Sequence, residues 1–107
     1  MNLNKELWTE DNISDFQAYL KTLGNKEKEI WTKNIINTNL PVLAIKSKSI
    51  KEVVKEISKG NYLSFLDLMI WQYYENTVIN GSLISKIKDF KVLKKYLNIY
   101  SAKADNW

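Results

Sequence analysis

Histidine, cysteine and arginine are all missing from this chain of 107 residues. Without cysteine there is neither a disulfide frame nor a thiolate metal site. Without histidine, acyl-transfer triads, imidazole proton shuttles and His-based zinc sites are excluded within the chain, and carboxylates, lysine, tyrosine and hydroxyls remain as its chemistry. No cofactor or metal is expected from such a set. Proline occurs once and glycine three times, a composition that favours helix over a turn-rich β fold. No stretch approaches the roughly 20 apolar residues that span a bilayer, and the start, Met1 to Glu6, has no basic region followed by an apolar core. The chain therefore reads as cytoplasmic, with no membrane partner.

What is present is lysine, 16 residues against 12 Asp and Glu, for a net charge of +4. That balance permits nucleic-acid binding without demanding it, and Asn and Lys richness without Arg is equally what an AT-rich genome would encode. With 45% hydrophobic residues, the chain can bury one modest core, so residues 1–107 are expected to form a single domain.

Helical periodicity recurs along the chain. Asp11-Asn12 is placed to cap a helix carrying Ile13, Phe16, Tyr19, Leu20 and Leu23 on one face and stopping at Gly24. A second segment, about 26 to 37, puts Ile30, Trp31 and Ile35 together, with Glu27, Glu29 and Lys33 outside. Pro41 then breaks the pattern, because it disfavours helix in the preceding residue and has no amide hydrogen to donate. Ser49-Ile50-Lys51-Glu52 has the spacing of a capping box, and Ile50, Val53, Val54 and Ile57 follow at i, i+3, i+4 and i+7. From Tyr62 to Tyr74 the chain is almost continuously apolar, which implies burial on several sides; it is divided into a short helix near 61 to 68 and a longer one from about 70 to 87. A last helix, about 89 to 102, aligns Phe90, Leu93, Leu97 and Tyr100.

Five to six helices joined by short links make an all-α fold with helix-on-helix packing. The residues show no strict repeat, so a closed bundle and stacked repeats both remain open. Helix pairs at a period of about forty residues would suit a solenoid of the HEAT kind.

Four stretches taken together resemble a known family. They are Asn37-Thr38-Asn39-Leu40-Pro41-Val42-Leu43-Ala44-Ile45-Lys46; Ile57-Ser58-Lys59-Gly60-Asn61 with Phe65-Leu66-Asp67-Leu68; Tyr73-Tyr74-Glu75; and Lys103-Ala104-Asp105-Asn106-Trp107. Their order and separations are similar to the first half of the DNA alkylation repair enzymes, DNA glycosylases built of HEAT-like repeats. The resemblance implies antiparallel helix pairs stacked as an armadillo-type superhelix whose concave basic surface holds alkylated duplex DNA. It also implies excision of cationic purines such as 3-methyladenine and 7-methylguanine. A cationic base is already a good leaving group, so the enzyme mainly stabilises the positive charge growing on the deoxyribose, by a carboxylate and by the electron-rich faces of Trp rings.

In that family one such Trp follows an Asp-Asn-like pair, with the carboxylate one helical turn later. Trp107 matches the Trp, and the carboxylate would lie past the end of this sequence. The resemblance therefore implies the N-terminal part of a longer domain, inactive as a glycosylase by itself. Departures are visible too. Where relatives commonly have a Gly-Val-Arg-like sequence followed by a Leu-Arg pair, this chain has Ala44-Ile45-Lys46 and Ile50-Lys51. Lysine keeps the charge but loses the planar, bidentate grip on phosphate.

The lysines fall in two clusters. Lys46, Lys48, Lys51, Lys55 and Lys59 form the first, with Lys51, Lys55 and Lys59 at every fourth residue, and Lys88, Lys91, Lys94 and Lys95 form the second. The bare pattern is that of a solvated face, since Glu52 and Glu56 neighbour the stripe. The resemblance implies instead that Lys46, Lys51, Lys55, Lys91 and Lys95 contact DNA phosphates. Trp31, Trp71, Tyr73 and Tyr74 have the spacing of core residues more than of base-stacking ones, and Glu75 and Asp67 read as caps or salt links rather than a catalytic pair. Two functions stay open: a repair glycosylase represented by its N-terminal part, and a non-catalytic helical-repeat module that binds nucleic acid or protein. An uncovered last helix would expose an apolar face, so self-association through the region 89 to 107 is expected.

Overall fold

The computed structural model describes residues 2–35 and 40–103. Trp107 and the stretch 36–39 of the expected break before Pro41 lie outside them. Among the described residues there are six α-helices, one 3-10 turn and no strand: α1 Glu10–Leu23, the turn Lys26–Lys28, α2 Glu29–Ile35, α3 Ser47–Ser58, α4 Tyr62–Leu68, α5 Tyr74–Ile84 and α6 Phe90–Lys103.

Helices α1, α4 and α6 each start where a side chain satisfies open donors at the first turn. For α1 the cap is Thr9, two residues before the Asp11-Asn12 reading, and Asn12 Oδ1 reaches back to accept from the Thr9 N–H and hydroxyl, both at 3.0 Å. Asn12 is thus the N3 partner of the cap, the role Glu or Gln takes in a capping box. Asn61 Oδ1 caps α4 by accepting from Ser64 N–H at 3.2 Å. Asp89 Oδ1 caps α6 by accepting from the N–H groups of Lys91 at 2.9 Å and Val92 at 3.2 Å. The start of α3 lies at Ser47 rather than after Ser49, with Lys46 at the cap position and no side-chain cap bond.

The expected helix 70 to 87 is shorter at both ends. Met69, at φ 40°, ends α4, and the chain runs without helix to Tyr73, whose N–H donates to Asn76 Oδ1 at 2.8 Å to open α5. Asn80 Nδ2 donates to the Ile70 carbonyl at 2.9 Å, so a buried amide takes up a backbone group that lies outside any helix.

Helix α5 is the centre of the molecule, packed against α3, α4 and α6. It is covered over most of its surface, burying Glu75, Asn76, Thr77 and Asn80 as well as Ile79, Leu83 and Ile84, with Tyr74, Val78 and Ser82 half-buried. Polar groups so placed need partners. Asn76 and the buried Gln17 of α1 exchange two bonds of 2.9 Å, clamping α1 to α5. From α3 come Ile50, Val53, Val54 and Ile57, all buried as their spacing predicts.

The N-terminal segment before α1 is a strap across α1 and α4. Trp8 is only 3% exposed and forms an edge-to-face trio with Phe16 and Phe65, with ring centroids 5.0 to 5.6 Å apart. Trp8 N–H donates to Ser64 Oγ at 2.9 Å, and Asn61 N–H donates to the Lys5 carbonyl at 2.8 Å. Gly60 allows that approach, since a Cβ there would lie 2.4 Å from the Lys5 oxygen. The Cα radius of gyration is 13.5 Å, near the ~13 Å of a compact 100-residue domain.

Two expected faces are corrected. Ile30, Trp31 and Ile35 share a side of α2 but are 78%, 65% and 64% exposed, so Trp31 is not a core residue. Periodicity sets which residues share a face; whether another element covers it is a long-range matter. In α6, Phe90 and Leu97 are exposed, and the inward line runs through Val92, Leu93, Tyr96 and Tyr100. The Tyr96 hydroxyl donates to Asp67 of α4, and the Tyr100 ring lies 5.6 Å from that of Trp71. These two tyrosines fix the rotation of the helix.

Candidate nucleic-acid interface

The segment from Pro41 to Lys46 holds no helix, because Pro41 cannot extend one backward and the next cap is Lys46. Its backbone polar groups find partners elsewhere. Tyr74 N–H donates to the Pro41 carbonyl at 2.9 Å. The Glu75 carboxylate, 4% exposed, accepts from three consecutive amides: Leu43 N–H at 3.0 Å, Ala44 N–H at 3.1 Å and Ile45 N–H at 3.4 Å. A buried carboxylate is tolerable when its lone pairs are taken by such donors. Ala44 sits at φ 59°, the left-handed region that glycine enters readily and alanine rarely does. The turn of the chain at Ala44 aims the successive N–H groups at one anion, as backbone nests do.

On the other side of this segment, the Leu43 carbonyl accepts from Asn25 N–H at 2.9 Å. Gly24 makes room, since a Cβ there would lie 2.4 Å from the Leu43 oxygen. Asn25 in turn caps the 3-10 turn, its Oδ1 accepting from Glu27 N–H at 3.0 Å. An open depression of about 700 Å³ lies where the end of α1, this turn and the start of α3 meet, and Lys26, Lys28 and Lys46 line it beside Glu27. Three cations against one anion leave it positive. The first turn of α3, with no side chain capping it, opens on the same region through Ser49.

Of the lysines singled out from the sequence, Lys46 alone lines this depression. Lys51 lies on a groove of about 400 Å³ with Thr32, Ile45, Ile50, Tyr74 and Val78. Lys55 lines a furrow of about 340 Å³ with Glu52 and Glu56, and Lys59 pairs with Glu56 at 3.0 Å on the surface, so the acidic neighbours do offset part of the stripe. Lys91 and Lys95 are exposed on α6, with Lys95 Nζ 5.2 Å from the centre of the Tyr96 ring. Lys26 and Lys28 lie outside both lysine clusters that the sequence spacing marks. Their signal is the position just after Gly24, but the bond from Asn25 to Leu43 that brings them to Lys46 is a tertiary contact. Trp107 lies outside the described residues.

The two carboxylates do not form a catalytic pair: Glu75 is committed to backbone amides, and Asp67 accepts from Tyr96. The Tyr96 phenol is pushed up to about 12, by burial first, then by the hydrogen bond to Asp67 and its charge. Tyr100 is also raised, by burial and then by the neighbouring Tyr74. Tyr73 is buried and Trp71 half-buried, as core spacing predicts. Among the described residues no group of three or more acidic side chains could hold a metal ion, and no helix is long and apolar enough to cross a membrane.

Comparison of the chain with protein-family models, with curated proteins and with solved structures finds no match.

Proposed function

We propose that this chain is part of a HEAT-like solenoid of the DNA-alkylation-repair type and that it holds the phosphate backbone of duplex DNA. One observation carries the reading. Two of the stretches that resemble that family meet where the Glu75 carboxylate accepts from Leu43 and Ala44 N–H, and Ala44, within the first of them, is left-handed. The resembled pattern has glycine at this position, and glycine is the residue that adopts such a backbone without strain. The loop leads directly into Lys46, and Lys26 and Lys28 stand across the depression from it. Lys51, Lys55, Lys91 and Lys95 are further phosphate contacts in this reading. In this reading the described residues supply DNA holding, and the Trp107 ring would contribute to release of a cationic alkylated purine.

The test is titration of fluorescein-labelled duplexes of two unrelated sequences at several salt concentrations. Binding is expected to be indifferent to sequence, and log K is expected to fall with log salt by about 0.9 per phosphate contact. Replacing Lys26, Lys28 and Lys46 together by alanine should lower that slope by about 2 to 3. A wild-type curve insensitive to salt would refute the reading.

A second reading, a helical module that binds a protein, is favoured by the exposed Ile30, Trp31 and Ile35 of α2. Grouped exposed apolar side chains mark contact surfaces. Phe90, Leu97 and Ile99 of α6 are the corresponding surface for the proposed self-association.

A further inference from the structure

We infer that Glu75, 4% exposed and outside the lining of the lysine depression, is the positioning residue that sets the spacing of both lysine-bearing segments around it; this rests on the nucleic-acid reading above. Its carboxylate is the anchor of a short chain of bonds. It accepts from Leu43, Ala44 and Ile45 N–H, which fixes the three residues before Lys46 and hence the start of α3. Through Leu43 the same anchor reaches the other bank: the Leu43 carbonyl accepts from Asn25 N–H, and Asn25 Oδ1 holds the turn that carries Lys26 and Lys28. One side chain on the central helix therefore orients cations from two elements, the 3-10 turn and the start of α3.

The arrangement has two further consequences. Ala44 keeps a backbone conformation that alanine seldom adopts only while the three amides have their anion. In addition, Glu75 occupies the nest itself, so a phosphate cannot settle there and is left to the lysines outside. With Lys46, Lys26 and Lys28 held at fixed spacing, less conformational freedom is lost on binding, and successive phosphates are met together instead of one at a time.

The experiment is a mutant cycle on duplex DNA binding, with wild type, Lys46→Ala, Glu75→Gln and the double variant titrated against the same labelled duplex over a salt series. Glu75→Gln keeps one oxygen for Leu43 N–H but presents an NH2 group to the other amides. It should weaken binding roughly three- to tenfold, within the range coupled residues show, and lower the salt slope by about one contact. The double variant should bind no more weakly than the weaker single variant. Faster amide exchange at Leu43, Ala44 and Ile45 would accompany a purely structural role as well, so the decisive readout is the coupling to Lys46.

Wild-type affinity in Glu75→Gln, or losses that simply multiply in the double variant, would overturn the inference while leaving the function intact. Absence of wild-type binding would remove both. If circular dichroism shows Glu75→Gln to be unfolded, Glu75→Asp replaces it in the cycle. It keeps the charge but withdraws the carboxylate by one methylene, and the same two outcomes decide.

Discussion

Truncation of Trp8 tests the most unexpected part of the fold, the strap that closes the core from the N-terminus. Trp8 is 3% exposed, packed edge-on against Phe16 and Phe65. Removing a buried Trp to Ala costs about 3–5 kcal/mol, and two ring pairs, each worth roughly 0.5–1.5 kcal/mol beyond area, place this site in the upper part of that range. One feature pulls the other way. Trp8 Nε1 is buried with no hydrogen-bond partner among the described residues, and leaving such a donor unpaired costs about 1–3 kcal/mol, which the truncation relieves.

The net expectation for Trp8→Ala is a loss of about 4 kcal/mol, a large share of the roughly 5–15 kcal/mol that holds a domain together. The corresponding fall in Tm is roughly 15–30 °C. Trp8→Phe sheds the unpaired N–H and keeps most of the ring contact, so it should stay within about 1 kcal/mol of wild type. Urea unfolding followed by circular dichroism, with unchanged m, measures both. A loss below about 1 kcal/mol in Trp8→Ala would show that the strap is not part of the cooperative core. A Phe variant as unstable as the Ala one would show that the indole N–H is satisfied.

Three more expectations follow from single residues. Ala44→Gly relieves a left-handed alanine and should raise stability by up to about 1 kcal/mol in the same urea assay; a clear loss would mean that the added freedom of the unfolded chain outweighs the strain. Tyr96, with its pKa raised from 10.0 to about 12, makes a contribution that is complete below pH 10 and lost as pH rises through about 12, because the fold binds the protonated phenol more tightly. Absorbance titration should find Tyr96 among the late-ionising tyrosines, with Tyr100 also raised, and Asp67→Asn should return Tyr96 part of the way, burial being the larger cause; no movement in that variant would remove Asp67 from the account. Trp31→Ser, on an exposed face of α2, should change stability by no more than about 0.5 kcal/mol, and a large loss would show that this face is covered.

How much was legible in the sequence depends on what kind of contact decides each element. Helix α3 could be read because Ile50, Val53, Val54 and Ile57 form a buried stripe against polar residues, and the stripe alone specifies the face. A helix over α5 was also expected, but not its ends or the burial of its polar residues, because a mostly buried helix has little polar face to set its limits, and its Asn76 and Asn80 are internal hydrogen-bonding groups. Chain position offered no sign that Trp8 is a core residue. In the candidate site, Lys46 was legible from the resembled pattern, whereas Lys26 and Lys28 join it only through Asn25 and Leu43.

Composition and local spacing settle the helical class, the narrow chemistry left by the absence of His and Cys, the faces of α1 and α3, and the positive balance carried by lysine alone. These properties need no distant partner. Long-range packing set the rest: Trp8 closes the core, Ile30, Trp31 and Ile35 of α2 and Phe90 and Leu97 of α6 stay exposed, and Glu75 joins the Pro41–Lys46 segment to the central helix. Each of those depends on which surface meets which across tens of residues, and a hydrogen bond from Leu43 to Glu75 leaves no trace in the spacing of either segment.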